Sequence, residues 1–178
     1  MERPMSEYAA DAPRILRDFL TYISTIQGKS ARTAHEYYLD LRLFLRVLKH
    51  NKGLVPRELP IDRIAIDDVD IDFLKTVTLS DAYDYLEYMS GERPTQQNSP
   101  DTEFGLSVNS RARKVSAIRA FFRYLTDKKH MLETNPMASL ESPTIRKTLP
   151  VYLTADDGVK LLDAVQGQYA ERGYCTLM

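Results

Sequence analysis

Apolar residues recur at helical spacing along most of the chain. Ile15, Leu16, Phe19, Leu20, Ile23 and Ile26 keep that spacing and predict a first helix from about Pro13 to Gln27. Pro13 suits a first helical turn, and Gly28 offers a stop. A second helix is expected from Ser30, an N-cap candidate, to about Lys49, with Ala34, Tyr37, Tyr38, Leu41, Phe44, Leu45 and Leu48 on its apolar stripe. "LPIDRIAIDDVDIDFLKTV" alternates apolar and acidic residues, which suits either a short strand or a loop. A loop followed by a short helix is preferred, because Asp70 can cap "IDFLKTV". Ser80 is the N-cap candidate for a helix carrying Ala82, Tyr85, Leu86 and Met89. Gly91 to Ser107 is polar and rich in turn formers and reads as a long exposed loop. "SVNSRARKVSAIRAFFRYL" then predicts a helix from about Ser107 or Asn109 to Lys129.

Three X-Pro pairs follow: Asn135-Pro136, Ser142-Pro143 and Leu149-Pro150. Each biases its preceding residue toward extended backbone, so the stretch reads as an extended connector. Thr154 then caps a last helix with Val159, Leu162 and Val165 on one face. The expected fold class is all-α: a bundle of four to five helices, an extended proline-marked linker and a C-terminal helical fragment. The expected divisions are a flexible N-terminus at 1–12, a helical domain at 13–134, the linker at 135–153, and the start of a further domain at 154–178.

Composition narrows the class. At 178 residues, 43% hydrophobic and 28% charged, the chain has the make-up of a soluble globular protein. The N-terminal "MERPMSEYAADAP" has no apolar signal core, and no apolar run approaches bilayer length, so a cytoplasmic protein without membrane contact is expected. Cys175 is the single cysteine, which excludes an internal disulfide framework. The net charge of −1 hides a polarised distribution. Ser107 to His130 carries Arg111, Arg113, Lys114, Arg119, Arg123, Lys128 and Lys129 against Asp127, a net +6. Glu58 to Glu103 sums to −9. A basic surface attracts phosphate, while the acidic segment keeps the total near zero.

His35, His50 and His130 have no metal-ligand spacing, and no phosphate loop, dinucleotide fingerprint or nucleophile elbow occurs. No metal or other cofactor is implied. Paired carboxylates such as Asp67/Asp68 read as solvated charge or helix-dipole partners. On a wheel of about 100° per residue, Val115, Ile118, Phe121, Phe122 and Leu125 share one face of the basic helix. Arg113, Ser116, Ala117 and Ala120 lie opposite. That outer face suits close approach to a duplex, with hydroxyl and guanidinium groups for phosphates or base edges, and it suits an ordinary solvated face equally well. The second helix also opens on hydroxyls and bases: Lys29, Ser30, Arg32 and Thr33. Tyr37 offers a phosphate-bonding hydroxyl, but its place on the apolar side favours core packing.

These stretches carry a resemblance. "FLTYISTIQGKSARTAHEYYLDLRLFLRVL" resembles the first helical hairpin of the tyrosine recombinases (phage-integrase family, Xer-like). "SVNSRARKVSAIRAFFRYL" resembles that family's later helix, and "NPMASLESPTIRKTLPVYLTADDGVKLLDAV" its linker into the catalytic domain. The three occur in the family's order. The resemblance implies a SAM-like core-binding domain over 13–134 that clamps double-stranded DNA together with a catalytic domain. It implies DNA contact at Ser30, Arg32, Thr33, Arg113, Lys114, Ser116 and Arg119, and a phosphate contact at Lys147. Lys29 and Arg111 are added on charge. Other recombinase protomers are implied as partners. The family's catalytic arginines, lysine, histidine-type positions and tyrosine nucleophile have no counterpart here, so this chain is expected to bind DNA and not to be an enzyme by itself. The competing reading is a helical protein-interaction module whose basic face docks an acidic partner, among them the chain's own Glu58 to Glu103 segment.

Overall fold

A computed structural model describes residues 11–92 and 105–144, together with Lys160. The chain divides into two compact units, Met1–Ile145 and Arg146–Met178. All described residues except Lys160 lie in the first unit, which is all-α: among them no strand occurs. Its helices are α1 (Arg14–Thr25), α2 (Ala31–Asn51), α3 (Ile71–Lys75), α4 (Leu79–Glu87) and α5 (Val108–Arg123).

The apolar spacing places α1 and α2 as expected. Leu16, Phe19, Leu20 and Ile23 form the buried stripe of α1. Gly28 takes a positive φ of 64° and ends that helix, and Ser30 caps α2 by accepting from the Thr33 N–H at 3.2 Å. At the far end of α2, Gly53 adopts a left-handed backbone. Its N–H donates to the His50 carbonyl and the Leu54 N–H to the Lys49 carbonyl, both at 3.0 Å, a two-bond stop that satisfies the terminal carbonyls.

Between α2 and α3 the chain forms a loop with one 3-10 turn, Ile61–Arg63. Its alternation seats Ile64, Ile66 and Val69 in the interior without a strand. The loop's polar side is held by α2: Arg46 Nε donates to the Ile64 carbonyl at 2.8 Å and Lys49 Nζ to the Ala65 carbonyl at 2.9 Å. Asp70 caps α3, accepting from the Phe73 N–H at 2.8 Å.

The start of α4 differs from expectation. Thr78, not Ser80, is the N-cap, and it forms a reciprocal capping box with Asp81. The acidic partner decides this: Thr78 has Asp81 three residues on, whereas Ser80 has Tyr83. Asp81 Oδ2 also accepts from Lys52 Nζ at 3.0 Å. Burial raises the Asp81 pKa, but the Thr78 and Lys52 donors outweigh that, so its carboxyl sits below the ordinary value.

Most of the expected Gly91 to Ser107 loop lies outside the described residues. Its two ends meet: the Leu106 N–H donates to the Met89 carbonyl at 2.8 Å, and a side chain on Gly105, whose φ is 86°, would collide with the Ser90 carbonyl. Ser107 caps α5 through the Ser110 N–H, and a π turn, Tyr124–Lys128, carries the coil on to Lys129.

Aromatic rings join the helices. Phe19 meets Phe121 edge-on at 5.3 Å, and Phe44 meets Tyr85 at 5.1 Å and Phe122 at 6.4 Å. Each such fully buried ring contributes roughly 1.5–3 kcal/mol from area alone. Asn135 begins two successive turns, its side chain accepting from the Met137 N–H at 2.9 Å, and Met137 and Leu140 are buried in the core. The first residues of the stretch expected to be an extended connector thus form turns packed on the bundle. The expected continuation over 145–153 and the helix after Thr154 lie outside the described residues, apart from Lys160. None of the helices among the described residues is long and apolar enough to cross a membrane.

Replacing Thr78 by Ala is expected to cost about 1 kcal/mol in urea unfolding, while Ser80→Ala stays within about 0.5 kcal/mol. Because the folded-state pKa of Asp81 is depressed, its contribution is complete above the unfolded carboxylate range. It is lost as pH falls through the lower folded value. Asp81→Asn should remove that acid-dependent part, visible as a flatter acid limb in stability against pH.

Candidate nucleic-acid interface

The sequence puts Asp40 on the apolar stripe of α2, between Tyr37 and Phe44. It puts Lys114 at the head of the row that continues through Ile118, Phe121 and Leu125 on α5. The two stripes face each other, and the charges meet: Lys114 Nζ lies 2.6 Å from Asp40 Oδ1. Both residues are buried. Arg113 Nη1 lies 2.9 Å from the other Asp40 oxygen, as an ion pair rather than an aligned hydrogen bond. The same nitrogen donates to Glu36 Oε2 at 2.7 Å. Burial, opposed by the Lys114 and Arg113 cations, pushes the Asp40 carboxyl above the ordinary carboxylate value.

This network changes the reading of α5. Lys114 was expected to face DNA; it is buried, and its ammonium is committed to Asp40. Ala117 was expected on the outer face; it is fully buried, so the inward face runs from Lys114 through Ala117 and is wider than the large apolar residues alone suggested. Arg113, Ser116 and Arg123 do lie exposed, and Arg119 is half-buried in the same row as Ser116 and Arg123. Arg111 is half-buried, and its Nε is enclosed without a hydrogen-bond partner among the described residues.

At the entrance of α2, Lys29, Ser30 and Arg32 are exposed and Thr33 half-buried. The Ser30 and Thr33 hydroxyls lie 3.0 Å apart, so one proton bridges them and the other hydroxyl proton remains to be donated. Ser116 donates to the Ala112 carbonyl at 3.0 Å, which leaves its oxygen as an acceptor. Among the described residues Lys29, Arg32 and Arg119 make no ion pair. The Glu36–Arg113 pair joins the second turns of α2 and α5: Arg32 and Thr33 lie one turn before Glu36, and Ser116 one turn after Arg113. Tyr37 stacks on Phe19 at 6.3 Å between centroids, in line with its place on the apolar side. Lys147 lies outside the described residues.

Glu36 and Asp40 are the site residues absent from the expected set. An aspartate inside an apolar stripe, opposite a lysine inside another, was the available signal. The acidic segment does not dock on α5 among the described residues. Apart from Asp72–Lys75 within the segment, its ion pairs among the described residues run to the end of α2 and its C-cap, Lys49–Asp68 at 2.6 Å and Lys52–Asp81 at 3.0 Å. No group of His, Cys, Asp and Glu among the described residues is arranged to hold a metal ion.

No protein-family model and no solved structure matches the chain. Curated proteins do. The tyrosine recombinase XerC of Caldanaerobacter subterraneus subsp. tengcongensis is 40% identical over 165 residues, covering 93% of this chain and 44% of that protein. The tyrosine recombinase XerD of Listeria monocytogenes serotype 4b is 28% identical over 150 residues, 84% of this chain and 40% of the relative. A tyrosine recombinase of Pseudothermotoga lettingae is 29% identical over 150 residues, 84% of this chain and 42% of the relative. The chain spans less than half the length of these relatives. They bear out the Xer-like tyrosine recombinase resemblance read from the motifs. They also correct one expectation: the chain was expected not to be an enzyme, and its relatives are recombinases, so its kinship is with an enzyme family.

Removing charge at Arg113 and Lys114 together is therefore not a neutral probe of binding. It strands a buried carboxylate and is expected to cost roughly 3–5 kcal/mol. Pairing Lys114→Met with Asp40→Leu should recover most of that loss, because no charge is then left unpaired. Urea unfolding of the variants checks both statements.

Proposed function

From this Xer-like tyrosine recombinase kinship, we propose that the first unit binds duplex DNA in a site-specific recombinase acting in DNA recombination or integration. The observation that supports the reading is the Arg113–Glu36 pair at 2.7 Å, which ties α5 to α2 one turn beyond Arg32 and Thr33. Lys29, Ser30, Arg32 and Thr33 supply one half of the contact surface; Arg113, Ser116 and Arg119 supply the other, with Arg111 at its edge. Lys114 serves by holding α5 in place. Phosphate contacts fix orientation, and a few base contacts add sequence preference. The N-terminus of α2 adds a favourable field for phosphate at Ser30 to Thr33.

The proposal extends to the family's organisation. Residues 13–134 act as the core-binding domain, 135–153 as the linker with Lys147 on phosphate, and 154–178 as the start of the catalytic domain. For the whole recombinase it carries strand cleavage and rejoining through a 3′-phosphotyrosyl link, on a double-stranded site shared with other protomers. That covalent link conserves the phosphodiester energy without a nucleotide.

The test is binding of a random-sequence duplex across a salt series. An Arg32→Gln/Arg119→Gln variant should melt like the parent and bind about tenfold or more weakly at low salt. The slope of log affinity against log salt should shrink by up to about 1.8, since each lost phosphate contact removes about 0.9. Unchanged affinity and slope would contradict DNA binding by this face. Binding to an acidic protein but not to DNA would instead favour the interaction-module reading.

A further inference from the structure

Among the described residues, Glu36 is the one carboxylate that the proposed DNA-facing surface holds at the solvent boundary. Its side chain is 39% exposed and that of Arg113 41%, whereas Asp40 is wholly enclosed. The fold already provides Arg113 with an anchor in Asp40, and Lys114 neutralises Asp40 from the other side. The Glu36 contact is thus a second hold on a guanidinium that has another. Glu36 also lies four residues after Arg32 and three after Thr33, on the same side of α2. A phosphate seated at Arg32 and Thr33 therefore meets the Glu36 carboxylate, and Arg113 beyond it.

Resting on the DNA-binding reading above, we infer that Glu36 is an intramolecular competitor of DNA phosphate for Arg113. In the free protein it occupies the guanidinium donor. When a backbone docks, the phosphate takes that donor, Asp40 keeps its hold on Arg113, and Glu36 turns to solvent. Carboxylate and phosphate present similar anionic oxygens to a guanidinium, so the exchange needs no rearrangement of α5. The competition lowers affinity for any phosphate backbone and shortens residence on random sequence. Stable occupancy then depends more on base contacts elsewhere.

The test uses the full 178-residue chain and a fluorescent random-sequence duplex. Glu36→Gln keeps size and hydrogen bonding but removes the charge. It should melt like the parent and bind about two- to fivefold tighter at low salt, the range expected for one exposed ion pair. The gain should fade as salt rises, because the competition is screened. In an Arg113→Gln background Glu36→Gln should give little or no gain. Unchanged or weaker binding by Glu36→Gln overturns the inference. So does an equal gain in the Arg113→Gln background, which would mean simple repulsion of DNA. If Arg32→Gln/Arg119→Gln leaves binding untouched, the DNA-binding reading itself fails and this inference with it. If that variant weakens binding while Glu36→Gln is silent, only the competitor role falls.

Discussion

The described bundle depends on one buried ion pair. Asp40 and Lys114 meet at 2.6 Å inside the contact between α2 and α5, where water cannot solvate either charge. Such a pair adds little net stability over apolar residues of the same size, since desolvation offsets the attraction. Its effect is on register. A slip of α5 by one turn would separate the charges and leave each alone in the core, at several kcal/mol. The pair therefore selects the one seating of α5 that also places Phe122 against Phe44 and Phe121 against Phe19. That seating in turn sets Arg113 beside Glu36 and defines the outer face.

Along α2, three functions follow one another. Its first turn presents Lys29, Ser30, Arg32 and Thr33 to solvent. Its middle binds α5 through Glu36 and Asp40. Its last turns clamp the acidic stretch through Arg46, Lys49 and Lys52. The charge polarisation of the sequence is resolved by this division. Among the described residues, Asp68 and Asp81 of the acidic stretch pair with Lys49 and Lys52 and not with α5. The near-zero net charge thus averages over two unlike stretches, and on α5 Arg113 and Lys114 are themselves paired with carboxylates of α2.

The helices were legible because apolar spacing and capping residues agreed: Ser30, Asp70 and Ser107 cap where their side chains suggest. Thr78 was missed because Ser80 also looks like a cap in isolation, and only the carboxylate three residues on separates them. DNA contact at Lys114 was expected from the family resemblance and its charge, and a charged residue is assigned outward unless its partner is recognised on another helix. The partner, Asp40, lies 74 residues away along the chain. Ala117 was assigned outward because small residues carry little information about side. Glu36 was invisible because its role comes from contact with Arg113 alone. The expectation of no catalysis rested on motifs not found, and kinship with recombinases overrides a reading of that kind.

Backbone amide shifts of the 15N-labelled chain, recorded as a duplex is added, test the account most directly. Changes concentrated on Lys29–Thr33 and on Arg113–Arg119, with Asp67–Thr76 unmoved, are what a single surface built from two helix entrances predicts. Changes centred on the acidic loop, or confined to one of the two entrances, would contradict it.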